Sequence, residues 1–215
     1  MSGPQVVNLG VLTPGKIMRN QATLNRRESL ASALAIALGG LASTADGAQA
    51  QQVGGRSRVL VAFFSRSGNT RLVAGHVRLT LGADLFEIQP AQPYPEDYEE
   101  TVRQAERERD TGFEPPLKAT VADIASYDPI FLGFPIWGTT APPVIRSFLS
   151  QHDLTGRTLV PLITHGGYGS GQSLSVVGRL APKARLREGF TLQMDQEREI
   201  LRRVTRWLGT VNVRR

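Results

Sequence analysis

The sequence predicts an α/β fold, a three-layer sandwich in which a five-stranded parallel sheet carries helices on both faces. Three observations predict it. From residue 58 to 209, apolar runs of strand length alternate with stretches of helical periodicity. Loops rich in Gly and hydroxyl residues follow the first, third and fourth of these runs. In parallel sheets covered on both faces, ligands sit at the carboxyl ends of the strands. The composition, 40% hydrophobic and 20% charged over 215 residues, suits a globular protein with a sizeable core. Right-handed crossovers then connect the strands.

Residues 1–57 read differently. Asn25-Arg26-Arg27-Glu28-Ser29-Leu30 precedes an uncharged, Ala- and Leu-rich segment from Ala31 to Ala45, and then Ala48-Gln49-Ala50. A basic segment, a modest apolar segment and a small-x-small site are the three parts of a secretory signal. The apolar part is too short and alanine-rich for a membrane span, so no stable span is expected after cleavage. The paired arginines resemble the twin-arginine export signal, departing from it in Asn25 before the pair and in Leu30 without a preceding Phe. That resemblance implies the twin-arginine export machinery as a partner, a cytoplasmic precursor and a periplasmic or extracytoplasmic mature protein. An uncleaved anchor or an amphipathic helix is the alternative. Residues 1–50 would be the signal with its leader, and residues 51–57 a linker. Translation from Met18 would shorten the leader.

The domain is expected over residues 58–209, with a tail at 210–215. Val59 to Phe64 is the first strand and ends in Ser65-Arg66-Ser67-Gly68-Asn69-Thr70. A helix follows from Arg71 to Leu81, with Leu72, Val73, Val77 and Leu81 on its apolar face. Leu85 to Gln89 is the second strand, and Pro90 to Pro95 a Pro-rich connection. Pro95 to Arg109 is a charged helix with Glu99/Arg103 and Arg103/Arg107 at four-residue spacing, which reads as a solvated face and not as a site. Thr111 to Pro116 breaks it, and Val121 to Ile124 is a short helical turn. Ile130 to Phe134 is the third strand, leading into Pro135-Ile136-Trp137-Gly138-Thr139-Thr140. Pro142 opens a helix through Gln151, because Pro suits a first turn. Thr158 to Ile163 is the fourth strand, ending in Thr164-His165-Gly166-Gly167-Tyr168-Gly169-Ser170-Gly171, before a helix over Gln172 to Leu180. Gly189 to Gln193 is the fifth strand. Asp195 to Leu208 is a final amphipathic helix with Ile200, Val204 and Trp207/Leu208 on its apolar side.

Several chemistries are excluded. There is no Cys, hence no disulfide, thiolate metal site or cysteine nucleophile. Three His do not assemble a metal site by any recognisable spacing. The net charge of +6 comes from scattered Lys and Arg, with no tract pairing them with stacking aromatics, so nucleic acid is not an expected partner. The loop from Ser65 to Thr70 can wrap a phosphate. Backbone N–H groups converge at a helix N-terminus, Ser65, Ser67 and Thr70 add hydroxyls, Gly68 allows close approach, and Asn69 can hold the turn. An ordinary strand-to-helix loop capped by Thr70 fits the same residues.

Ser65-Arg66-Ser67-Gly68-Asn69-Thr70 resembles the phosphate loop of flavodoxins, which bind flavin mononucleotide (FMN). Pro135-Ile136-Trp137-Gly138-Thr139 resembles the segment that lies against their flavin ring, and His165-Gly166-Gly167-Tyr168 the other flanking loop. The likeness covers about residues 58–209, without a long insertion in strand five, as in the short-chain type. It implies strand order 2-1-3-4-5 and FMN as cofactor. It also implies that Trp137 and Tyr168 stack on opposite ring faces, that the Gly138 carbonyl meets N5 when N5 gains hydrogen, and that the N–H groups of Gly166, Gly167 and Tyr168 bond the pyrimidine oxygens. His165 reads more simply as a loop hydrogen-bonder. Taken alone, Trp137 would read as a core residue with Gly138 only turning the chain; following the Ser65 to Thr70 loop, flavin contact is the favoured reading.

The three loops hold no Asp or Glu, while Arg66 and Arg71 lie in or beside the first. A charge at about 8 Å, with an effective dielectric near 20, is worth roughly 2 kcal/mol, so the low potential of acidic flavodoxins is not expected. The expected function is electron transfer through FMN by an exported protein, with a redox partner protein or a small-molecule donor or acceptor. No catalytic residue is assigned, because the chemistry belongs to the flavin. Two alternatives stay open: an NAD(P)H-dependent quinone oxidoreductase of the same fold, and a non-redox binding protein that has lost FMN.

Overall fold

The computed structural model describes residues 58–194 and 197–211. The expected signal and linker, and the tail beyond residue 211, lie outside the described residues. Six strands form one sheet: β1 (Arg58–Phe63), β2 (Asp84–Glu87), β3 (Tyr127–Pro135), β4 (Thr158–His165), β5 (Arg185–Leu186) and β6 (Phe190–Gln193). Helices α1 (Asn69–Leu81), α2 (Tyr98–Thr111), α3 (Pro143–Gln151), α4 (Ser173–Leu180) and α5 (Glu197–Leu208) complete the fold. The strand order is β2-β1-β3-β4-β5, with β6 also paired to β4, and every pairing is parallel. This is the order 2-1-3-4-5 of the flavodoxin-like fold.

Strand alternation builds two cores from one sheet. Leu60, Ala62, Ile130, Leu132, Phe134 and Ile163 face α3 and α4, where Val144, Ile145, Phe148 and Val177 meet them. Val61, Phe63, Phe131, Val160, Leu162 and Leu192 face α1 and α5, packing on Val73, Ala74, Val77, Ile200, Val204 and Leu208. Each such side chain, once buried, contributes about 1.5–3 kcal/mol. Helix α2 joins neither core with an apolar stripe. Its buried residues are Thr101, Ala105 and Glu108.

Several elements differ from the sequence expectation: α2 begins at Tyr98 and β3 at Tyr127, three residues after and before their expected starts, and four further differences bear on the site or the sheet. Helix α1 starts at Asn69, so Asn69 and Thr70 belong to its first turn, and its buried face is Thr70, Val73, Ala74 and Val77. Leu72 is on the exposed side. Strand β2 covers Asp84–Glu87, because its register is set by pairing Leu60 with Asp84 and Phe63 with Glu87. The helical turn before β3 is at Ile124–Ser126, displaced past Val121. The fifth strand is divided, β5 pairing with Thr158–Leu159 and β6 with Leu162–His165.

Gly133 governs how α1 meets the sheet. A Cβ there would stand 3.0 Å from the Phe63 Cβ and 3.2 Å from the Thr70 methyl carbon. The missing side chain lets the first turn of α1 rest directly on β3, at the end of the sheet where the loops gather.

Candidate functional site

The loop between β1 and α1 leaves its polar groups available. Phe64 is held by its N–H donating to the Gly133 carbonyl at 2.9 Å. Beyond it, no backbone N–H from Ser65 to Arg71 finds an acceptor among the described residues. The α1 N-terminus carries no acidic side chain in its first turn, and its cap, Gly68, is left-handed without a side-chain hydrogen bond. The Ser65 hydroxyl is buried and has no partner among the described residues. A buried hydroxyl left unpaired costs free energy, and a helix N-terminus attracts an anion. Ser67 and Asn69 are exposed at the same rim.

Two residues of this loop do other work. The Thr70 hydroxyl is buried and shares a 2.8 Å hydrogen bond with Thr164 at the end of β4. It therefore ties the first turn of α1 to the end of β4. Arg66 donates to the Glu96 carbonyl, and its guanidinium lies 6.0 Å from the Tyr98 ring centre.

The loop after β3 is a tight turn. Trp137 N–H donates to the Thr140 carbonyl at 3.0 Å, and Thr140 N–H returns to the Trp137 carbonyl at 3.3 Å. Gly138, at φ 63°, occupies the left-handed corner that side-chain-bearing residues resist. Trp137 is only partly buried. Its ring packs edge-on against Phe64 at 5.2 Å and Tyr94 at 4.8 Å between ring centres. Trp137 packs against the edge of the core and also lines a cavity. Pro135 and Ile136 line that cavity beside it, and Ile136 N–H donates to the Thr164 carbonyl at 2.9 Å. Thr139 is exposed, and its carbonyl accepts from Gln172 N–H at 2.7 Å.

The loop after β4 is arranged by His165. Its Nδ1 accepts from the N–H groups of Gly167 at 3.0 Å and Gly169 at 3.1 Å, which places the ring proton on Nε2. The Gly167 N–H is therefore already used inside the loop. Gly166 is exposed, and Tyr168 is 88% exposed.

The first two loops meet at a cavity of about 410 Å³, within the ~300–1,000 Å³ range of small-molecule sites. Arg66, Ser67, Pro135, Ile136, Trp137 and Gly138 line one side. The opposite wall is α2, through Tyr98, Val102, Glu106 and Arg109 among others. Residues 165–168 do not line it. The charged helix is thus a wall of the site as well as a solvated face, and this correction has a physical origin. The inward stripe of α2 runs Thr101, Ala105, Glu108, at helical spacing but with no large apolar residue to betray it. Its anchor is Glu108, whose buried carboxylate accepts from the Tyr94 hydroxyl and from the Gln104 amide, both at 2.8 Å. Burial, and then that carboxylate, push the Tyr94 phenol well above its ordinary range. Tyr94 in turn braces Trp137.

A larger cleft of about 970 Å³ lies at the opposite ends of the strands, against Asp128, Thr158, Arg185, Arg187 and Trp207. It contains none of the loop residues above, so its size does not make it the site. Among the described residues, no cluster of His, Asp and Glu could hold a metal ion.

Comparison with known proteins bears on this arrangement. A family model described as Flavodoxin matches residues 58–211. A crystal structure from Bacteroides eggerthii, assigned as a flavoprotein, is 34% identical; the match covers 74% of this chain and 99% of that one, with a TM-score of 0.64. A second from Bacteroides uniformis, assigned likewise, is 27% identical over 69% of this chain and 98% of its own, with a TM-score of 0.62. A flavoprotein from Lactobacillus acidophilus, solved in complex with FMN, is 20% identical over 66% and 97% of the two chains, with a TM-score of 0.56. No curated protein sequence matches the chain.

Proposed function

This chain belongs to the flavodoxin family, and from that premise we propose that it binds FMN between its strand-end loops and α2 and passes electrons through it as an exported protein. The observation that carries the reading is the β1–α1 loop. Its buried Ser65 hydroxyl and unpaired N–H groups at a helix N-terminus lack any internal acceptor among the described residues. The terminal oxygens of a phosphate can accept from several of them, and each hydrogen bond to a charged group is worth about 1.5–3 kcal/mol.

The remaining residues fit the rest of the cofactor. Trp137 offers a large, braced aromatic face to a flat ring, and Pro135 and Ile136 add apolar lining that excludes water. Gly138, exposed at its corner, leaves the backbone approachable. The bound FMN supplies the redox chemistry, taking up and releasing electrons through its ring system. The protein holds, orients and electrostatically biases it. Arg66 and Arg109 line the cavity against a single carboxylate, Glu106. Export rests on the signal-like pattern of residues 25–50.

The test is to mix the purified protein with FMN and follow the visible spectrum through a reductive titration. A bound flavin that is reduced and reoxidised reversibly is expected. A protein that neither retains FMN nor quenches its fluorescence would overturn the reading.

A further inference from the structure

Two arginines line the cavity, and they sit at opposite ends of α2. Arg66 is tethered beside Tyr98, where α2 begins, and Arg109 stands near the helix end. The eleven residue steps from Tyr98 to Arg109 span about 16 Å of helix. Arg66 thus belongs to the phosphate-loop end, next to Ser67. Arg109 belongs to the other end. Its Nη1 lies 3.1 Å from where a Cβ on Gly138 would be, so it stands beside the corner of the β3 loop, which stays exposed.

We propose that Arg109, and not Arg66, is the cation that sets the reduction potential of the bound flavin, acting as a positioning and tuning residue at the Gly138 corner. The inference rests on the FMN reading above. Adding electrons to a ring seated against Trp137 and Gly138 adds negative charge there, and a guanidinium at that corner favours it. The backbone that carries Arg109 is fixed: its neighbour Glu108 is pinned by Tyr94 and Gln104, and the Arg109 carbonyl accepts from Gly112 N–H at the helix C-terminus. The opposing charges nearby are weak counterweights. Asp110 meets Arg109 Nε at 3.2 Å but is 68% exposed, so water and salt screen that pair. Glu106 lies on the same wall, one turn earlier. Arg66 has less leverage, being exposed and turned toward a carbonyl at the far end. The absence of a side chain at residue 138 is what leaves room for Arg109, so the glycine and the arginine form one device.

The experiment measures the potential of bound FMN in the full chain by equilibration with a redox dye, at low and high salt. Wild type, Arg109→Gln, Arg109→Lys and Arg66→Gln are compared, with dissociation constants for FMN and for riboflavin. Arg109→Gln is expected to lower the potential, equivalent to about a tenfold loss in the preference for reduced over oxidised FMN at low salt. The loss shrinks in high salt, and Arg109→Lys restores most of it. Arg66→Gln is expected to shift the potential less and to weaken FMN more than riboflavin. An Arg109→Gln protein that binds FMN with the wild-type potential would overturn the assignment of Arg109 alone. So would a larger shift in Arg66→Gln. A wild-type protein that fails to bind FMN would overturn the functional reading, and this inference with it.

Discussion

Thr70, in the first turn of α1, and Thr164, at the end of β4, join hydroxyl to hydroxyl at 2.8 Å in the buried heart of the site. The bond passes β3 near Gly133, which has no side chain. Thr70→Val leaves Thr164 unpaired and is expected to cost about 1–3 kcal/mol of stability, weakening FMN and riboflavin alike. Denaturant unfolding together with both dissociation constants checks this. A selective loss of FMN would return Thr70 to the phosphate loop.

Ser65→Ala should do the reverse. Removing a buried, unpartnered hydroxyl costs the folded protein little. It is expected to weaken FMN roughly ten- to a hundredfold while leaving riboflavin, which lacks the phosphate, nearly unchanged. Fluorescence titration with the two ligands provides the comparison.

Glu108→Ala removes the acceptor of Tyr94 and Gln104 together. A loss of about 2–3 kcal/mol follows, which lowers Tm by several degrees at roughly 2–4 °C per kcal/mol. The pair also has an alkaline signature. The Tyr94 pKa is raised on folding, so its contribution is complete below the unfolded value near 10 and is lost as pH rises beyond it. Tyr127, raised by burial and by Asp84, acts with the same sign. Tyr94→Phe should flatten part of the fall in stability above pH ~10, as read by thermal unfolding across that range.

His152 carries the acid counterpart. Its Nδ1 donates to the Phe148 carbonyl at 2.7 Å, and its Nε2 accepts from Val121 N–H at 2.9 Å. Burial lowers its pKa, so the stability it contributes is present above the unfolded value of about 6.5 and is lost as pH falls through the folded one. Stability is expected to decline from pH ~7 to ~5. In His152→Gln that part of the slope should vanish, although packing on Phe148 is lost. An unchanged slope would show that another group dominates acid unfolding.

Export makes a separate prediction. Replacing Arg26 and Arg27 together with Lys should hold the full-length precursor in the cytoplasm, and the exported wild-type chain is expected to begin at or near Gln51. Fractionation and N-terminal sequencing decide it. Exported protein that still carries residues 1–50 would exclude cleavage.

The legible parts of the fold were those with continuous apolar character. Strands β1, β3 and β4 are nearly unbroken runs of buried residues, and their ends locate the loops. The order of the strands came from the family likeness, since spacing alone does not encode pairing. Strand β5 was hidden because Arg185-Leu186 is two residues long with no alternation to read. The role of α2 was hidden for a related reason: a stripe of Thr, Ala and Glu gives no hydrophobic signal, and its meaning depends on Tyr94 arriving from another segment. In the loops, residue type alone did not show that Thr70 is consumed by Thr164, or that His165 takes up the Gly167 N–H.

The division of the fifth strand has a consequence for how the molecule meets its own copies. An uninterrupted outer strand is a template on which a second chain can add and fibrils can grow. Here that rim is broken into pieces of two and four residues, with Arg187 and Glu188 between them. The opposite rim, β2, is four residues long and ends in Asp84 and Glu87, which Arg58 and Arg71 engage. Among the described residues, both margins of the sheet are short and charged. Short, charged margins of this kind disfavour the edge-to-edge addition of a second chain.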